Sequence, residues 1–176
     1  LQKARSVIKG QNVFTPKSVL LLGNTGYITE SFIDAAFYES RVMIVGESNI
    51  KSTSRIKVYN IKAPSYEKIF DTYEFDVVIY LASELSYDTT PESDAEALRS
   101  VLENASKKCP DTRFLYISSL DCAFNEKSGR SVLAHSKENL CEYYHGEYCL
   151  DIKIIRIPYL YSALKKGDFL ERVFEQ

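Results

Sequence analysis

The apolar run Val19-Leu20-Leu21-Leu22, followed at once by Gly23-Asn24-Thr25-Gly26-Tyr27-Ile28-Thr29, leaves few folds open to this chain. A short apolar stretch closed by glycine suits a strand buried on both faces, the condition of a parallel sheet covered by helices. Beyond the glycines, Ile28, Phe32, Ile33, Ala36 and Phe37 recur at helical spacing and predict a helix with one apolar stripe. Strand, glycine turn and helix in that order make a site for an anion, because the first helix amides are unpaired and the positive end of the dipole faces outward. Two uses are open to Gly23 and Gly26: letting the backbone approach a pyrophosphate, or merely closing a strand-helix corner.

The next apolar run, Arg41 to Val45, closes at Gly46 and begins a βαβ unit with an expected right-handed crossover. Serine-rich residues 47–54 predict a loop, and Ile56, Val58 and Asn60 a third strand. Tyr66, Ile69, Phe70 and Tyr73 mark a short helix, and Asp76-Val77-Val78-Ile79-Tyr80-Leu81-Ala82 is the clearest central strand. Pro91 and Glu92 open a long helix with Ala97, Leu98, Val101, Leu102 and Ala105 along one side, stopped by Cys109-Pro110. Phe114 to Ser118 predicts another strand. Residues 132–148 predict a helix with Leu133, Leu140, Tyr144 and Tyr148 near one face. Asp151 to Ile157 closes the strand series, and Phe169, Val173 and Phe174 suggest a terminal helix. About six strands alternating with helices predict an α/β fold, a doubly wound parallel sheet in three αβα layers. We expect one domain over residues 17–176, with residues 1–16 as a lead-in or linker.

Charge and cysteine usage narrow the partners. A net charge of −2 lacks the basic excess that nucleic acid or an acidic membrane demands. No stretch approaches the length of a membrane span. The four cysteines, Cys109, Cys122, Cys141 and Cys149, form no C-x-x-C pair, and only two histidines accompany them, so no metal site is expected. They read as free thiols of a reducing, cytoplasmic compartment. Leu1 in place of an initiator Met predicts a piece of a longer parent protein.

Several blocks in order resemble the extended short-chain dehydrogenase/reductase family, the NAD-dependent epimerases and dehydratases that act mostly on nucleotide sugars. Val19 to Ile28 resembles its strand and glycine turn, and Asp76 to Ser83 its D-x-V-I-H-L-A-A block. Phe114-Leu115-Tyr116-Ile117-Ser118-Ser119 resembles its fifth strand, Ser136-Lys137 its S-K-x-x-x-E helix, with Glu142 one residue past the glutamate position, and Arg156 to Tyr161 its R-x-P-N-V-Y block. The blocks span roughly residues 17–163. The resemblance implies a Rossmann-like domain that takes NAD or NADP, with the usual substrate lobe missing or truncated. It also implies a nucleotide sugar as second ligand and a homodimer through the helices near 92–108 and 132–148.

On the same resemblance, the dinucleotide lies along Gly23, Thr25, Gly26, Tyr27 and Ile28, with Asn60 and Ile61 beside the adenine and Leu81, Ala82 and Ser83 along its middle. For the apolar members, plain sheet core is an equal reading. Glu47 stands one step past the position of the ribose-binding acid and is either its substitute or a solvated loop carboxylate. Lys51 and Arg55 suit a 2′-phosphate or simply solvent. Lys137 occupies the position of the lysine that holds the ribose and lowers the pKa of a tyrosine four residues earlier.

The departures are chemical. Leu133 stands at the tyrosine position and Leu120 at the serine or threonine position, Thr29 replaces the third glycine, Asp94 replaces a helix asparagine, and Tyr159 replaces the asparagine of the last block. Tyr143 and Tyr144 are available as a displaced acid, but Tyr144 lies about 10 Å along the helix from Lys137. The pattern predicts a non-catalytic or repurposed dinucleotide-binding domain. One alternative is an active NAD(P)-dependent nucleotide-sugar enzyme with a non-standard acid/base; another is a flavodoxin-like sheet of order 2-1-3-4-5.

Overall fold

The computed structural model describes residues 17–23, 29, 33, 39–46, 50–59, 66–81, 91–120 and 129–157. Among these, β1 (Ser18–Leu22), β2 (Arg41–Val45), β3 (Ile56–Tyr59), β4 (Val77–Leu81), β5 (Arg113–Ser119) and β6 (Asp151–Ile157) form one sheet. The described helices are α1 (Tyr66–Thr72), α2 (Pro91–Lys108) and α3 (Gly129–Tyr148). The strand order is β3-β2-β1-β4-β5-β6, and every neighbouring pair is parallel. This is the doubly wound order expected from the sequence, and it excludes the flavodoxin-like alternative. Asn60, Ala82 and the suggested helix around Phe169 to Phe174 lie outside the described residues.

Alternation along the strands builds two cores. Leu20, Leu22, Val78, Tyr80, Phe114 and Tyr116 face one way and pack under Leu98, Val101, Leu102 and Ala105 of α2. Val19, Leu21, Val42, Ile44 and Ile79 face the other way and meet Ile33, which is helical. Because both faces are covered, β1 and β4 are buried throughout their centres, which is why they read as unbroken apolar runs. Each buried aliphatic side chain contributes about 1.5–3 kcal/mol relative to exposure.

One amphipathic assignment is corrected. The buried stripe of α3 is Ala134, Lys137, Glu138, Cys141 and Tyr144, while Leu133 and Leu140 are half-buried and Tyr148 is 48% exposed. The stripe is rotated from the expected one because two charged residues, each with a partner, occupy positions that periodicity assigns to solvent.

At the amino edge of the sheet, Asp76 ties β4 to β1. Its Oδ2 accepts hydrogen bonds from the Lys17 amide (2.7 Å), the Ser18 amide (2.8 Å) and the Ser18 hydroxyl (3.2 Å). Burial pulls this carboxyl's pKa upward, but the Ser18 and Lys17 bonds outweigh it and hold the group below its ordinary value of 3.8. A depressed carboxyl stabilises the fold above its unfolded pKa, and that contribution disappears as pH falls through the folded value. Acid titration of folding stability should therefore show a loss below about pH 4, and Asp76→Asn should flatten it.

At the carboxyl edge, Gly23 (φ 111°) and Gly46 (φ 143°) adopt a conformation that L side chains rarely take. A Cβ on Gly46 would lie 2.2 Å from the Gly23 carbonyl oxygen, and one on Gly23 would lie 2.2 Å from that of Leu81. Gly46→Ala should cost roughly 2–4 kcal/mol, read as a lower urea midpoint at unchanged slope.

Candidate functional site

The direction of the crossovers locates the site. The chain runs outward from β1 to β2 and β3 on one side and then to β4, β5 and β6 on the other, and the carboxyl ends of β1 and β4 flank the switch point where open α/β sheets bind ligands. Gly23 continues β1 at this edge, its amide donating to the Val45 carbonyl at 3.2 Å, and Leu81 ends β4 directly against it. Of the residues expected to line a dinucleotide, Gly23 and Leu81 are thus brought together. The structural use of Gly23, closing the corner without a Cβ, is plain in the contact with Leu81. Thr25, Gly26, Tyr27, Ile28, Glu47, Asn60, Ile61, Ala82 and Ser83 lie outside the described residues.

Thr29, at the third glycine position, is helical and fully buried, and its Oγ1 has no hydrogen-bond partner among the described residues. The fold thus accommodates the β-branched side chain at the cost of an unpaired hydroxyl, about 1–3 kcal/mol.

Lys137 lies on the buried stripe of α3, and its ammonium does not stand alone. Nζ donates to Asp94 Oδ2 at 2.6 Å, with only 5% of the lysine and 7% of the aspartate side chain exposed. Asp94 is in the first turn of α2, where the helix dipole favours a carboxylate. Its other oxygen, Oδ1, accepts a hydrogen bond from the Tyr80 hydroxyl at 2.8 Å. Burial, followed by the Asp94 charge, raises the pKa of Tyr80, so this phenol stays protonated and acts as a donor. Burial and the same carboxylate also raise that of Tyr66.

Next to Lys137, Glu138 is buried and takes a two-point hydrogen bond from Arg156 of β6: Nε to Oε1 at 3.0 Å and Nη2 to Oε2 at 2.7 Å. The arginine of the R-x-P block is therefore engaged with α3. Tyr80, Asp94 as a direct partner of Lys137, and Glu138 were all missed as site residues. A tyrosine inside an otherwise aliphatic buried strand was the available signal, since a buried phenol needs a partner.

The two positions expected to carry the proton-transfer groups hold hydrocarbon. Leu133, one turn before Lys137, is half-buried hydrocarbon, and so is Leu120, immediately beyond β5. The displaced-acid candidates do not fill the gap. Tyr144 packs in an aromatic cluster, stacked on Tyr148 at 5.1 Å and edge-on to Tyr143 at 5.5 Å. Burial raises the pKa of Tyr144, and the nearby Tyr148 raises that of Tyr143; both shifts oppose acid/base work near neutrality. Burial also pushes the Cys141 thiol up to about 12, which removes it as a nucleophile. Among the described residues no His/Cys/Asp/Glu group is arranged to hold a metal, and no helix is long and apolar enough to cross a membrane.

An open cavity of about 810 Å³ lies at the opposite edge, beside Lys17, Arg41, Asp76 and Asp111. Its lining mixes both signs of charge at the amino ends of the strands, away from the switch point, so we place the functional site at the carboxyl edge.

Comparison with solved structures places this geometry. UDP-glucuronic acid 4-epimerase from Bacillus cereus, in complex with NAD, matches with a TM-score of 0.66 at 19% identity over 84% of this chain and 58% of that one. UDP-N-acetylglucosamine 4-epimerase from Bacillus cereus matches at 0.67 and 15%, over 90% of this chain and 60% of that one. The PhqB reductase domain from Penicillium fellutanum matches at 0.71 and 15%, over 98% and 58%. This chain spans less than two thirds of the length of each. No protein-family model matches the sequence, and no curated protein matches it. The class is thus a Rossmann-like doubly wound α/β sheet. More particularly, the fold is shared with part of the chain of these two epimerases and of the reductase domain.

The buried pair makes a direct stability prediction. Lys137→Met takes the ammonium partner from the buried Asp94 carboxylate and should cost about 3–5 kcal/mol, whereas Asp94→Leu with Lys137→Met should recover most of that loss. Urea unfolding of the two variants and the parent checks it.

Proposed function

We propose that this chain is a dinucleotide-binding domain of the epimerase/dehydratase type that has lost proton-transfer chemistry and serves a binding or regulatory role within a longer protein. The observation that carries this reading is the pairing of an intact switch point at Gly23 and Leu81 with hydrocarbon at Leu133 and Leu120. NAD or NADP is the ligand class, supported by the fold and by the NAD complex of the matching UDP-glucuronic acid 4-epimerase.

The nicotinamide, when bound, supplies the hydride chemistry, and the protein has to position it and manage one proton. Gly23 keeps the backbone close to the strand edge, where the absence of a Cβ leaves room for the pyrophosphate. Managing the proton is what this chain lacks. A nucleotide sugar then acts as a bound effector, or the sugar site resides in the part of the parent protein that these residues do not include. Dimerisation through the exposed sides of α2 and α3 is compatible with either role.

Calorimetric titration with NAD, NADH, NADP and NADPH should give saturable heat, while incubation with NAD and a UDP- or GDP-sugar should give no epimerised, dehydrated or reduced product. Turnover would overturn the non-catalytic half. No heat and no thermal shift at millimolar dinucleotide would overturn the binding half and leave a structural role.

A further inference from the structure

Lys137 carries a positive charge at the position where the resemblance puts the ribose-holding lysine, yet its ammonium is turned to Asp94 and nearly excluded from solvent. We propose that Asp94 is an internal lock: it holds Lys137 against α2 and withholds the ammonium from the ribose hydroxyls of a dinucleotide at the carboxyl edge. The affinity part of this inference rests on the dinucleotide reading above; the lock itself does not.

Three contacts make the lock stiff. Asp94 in the first turn of α2 is a carboxylate already favoured by the helix dipole. Tyr80 donates to Asp94 Oδ1 (2.8 Å), which fixes the carboxylate's orientation from the sheet below. The Glu138–Arg156 pair pins α3 to β6 at the residue adjacent to Lys137, which sets the rotation of α3 so that the lysine faces α2.

Turning Nζ from Asp94 to a ribose hydroxyl would exchange a charge-assisted bond for an ion-to-neutral one. It would also take the ammonium away from a buried carboxylate, a larger loss than the new bond returns. An asparagine at position 94 would present no net charge to compete for the ammonium. The consequence is a domain whose dinucleotide affinity is set below what its scaffold allows, and which any partner that draws Asp94 away would raise.

Two readouts on the full chain test this. In brief acetylation with acetic anhydride followed by peptide mass spectrometry, Lys137 of the unaltered protein should react at least about tenfold more slowly than the exposed Lys107 and Lys153. In Asp94→Asn, with the helical circular-dichroism signal retained, Lys137 should approach their rate. NAD titration should show Asp94→Asn binding about tenfold more tightly than the parent, the worth of one regained ion-assisted hydrogen bond. Asp94→Asn with Lys137→Met should lose that gain. A purely structural Asp94 would instead make Asp94→Asn bind more weakly.

Equal reactivity of Lys137 and Lys153 in the unaltered protein overturns the lock without needing any variant to fold. Unchanged or weaker NAD binding by Asp94→Asn, where the parent binds, overturns it as well. Slow Lys137 acetylation released by Asp94→Asn, with no NAD binding by either protein, supports the lock and overturns the dinucleotide reading.

Discussion

A buried ammonium must bring its counter-charge with it, and in this chain that requirement organises the functional edge of the sheet. Removing a charge from water costs several kcal/mol unless a partner of opposite sign and further hydrogen bonds receive it. Lys137 meets the condition through Asp94, and Asp94 through Lys137 and Tyr80. One interaction thereby ties α3 to α2 and both to β4. It also decides what the lysine can do, since a lysine that balances a structural carboxylate is poorly placed to serve as an adjustable ligand.

The scaffold depends on a different constraint, close approach of backbone to backbone. Gly46 lies against Gly23, and Gly23 against Leu81, each contact too near for a Cβ. These contacts set the carboxyl ends of β2, β1 and β4 side by side whether or not a ligand occupies the corner. Fold and chemistry are thus separable: the two glycines are needed to close the sheet, whereas positions 133 and 120 have no such duty. Hydrocarbon at Leu133 and Leu120 disturbs neither core.

The fold was legible because its central strands are buried on both faces. Val19 to Leu22 and Val77 to Leu81 read as continuous apolar runs, and six strand segments with intervening helices admit few orders. The long helix α2 was legible for the complementary reason: Leu98, Val101, Leu102 and Ala105 mark one face without ambiguity. The helix α3 was misread because hydrophobic periodicity treats Lys137 and Glu138 as solvent-facing, and their burial depends on Asp94 and Arg156, 43 and 18 residues away in sequence. Pairing at such separations leaves no local pattern. The glycine turn was recognised by its spacing, yet the part of its role that the fold now explains, contact with the Leu81 carbonyl, arises from a strand more than fifty residues downstream.

Position 94 differs in kind from positions 120 and 133. Leu120 and Leu133 bring hydrocarbon, which needs no polar partner. Asp94 places a charge in a buried setting, which persists only where the surroundings compensate it, and Lys137 contributes to that compensation. The ion pair of Lys137 with Asp94, braced by Tyr80 and by the neighbouring Glu138–Arg156 contact, ties the lysine to the stability of the domain.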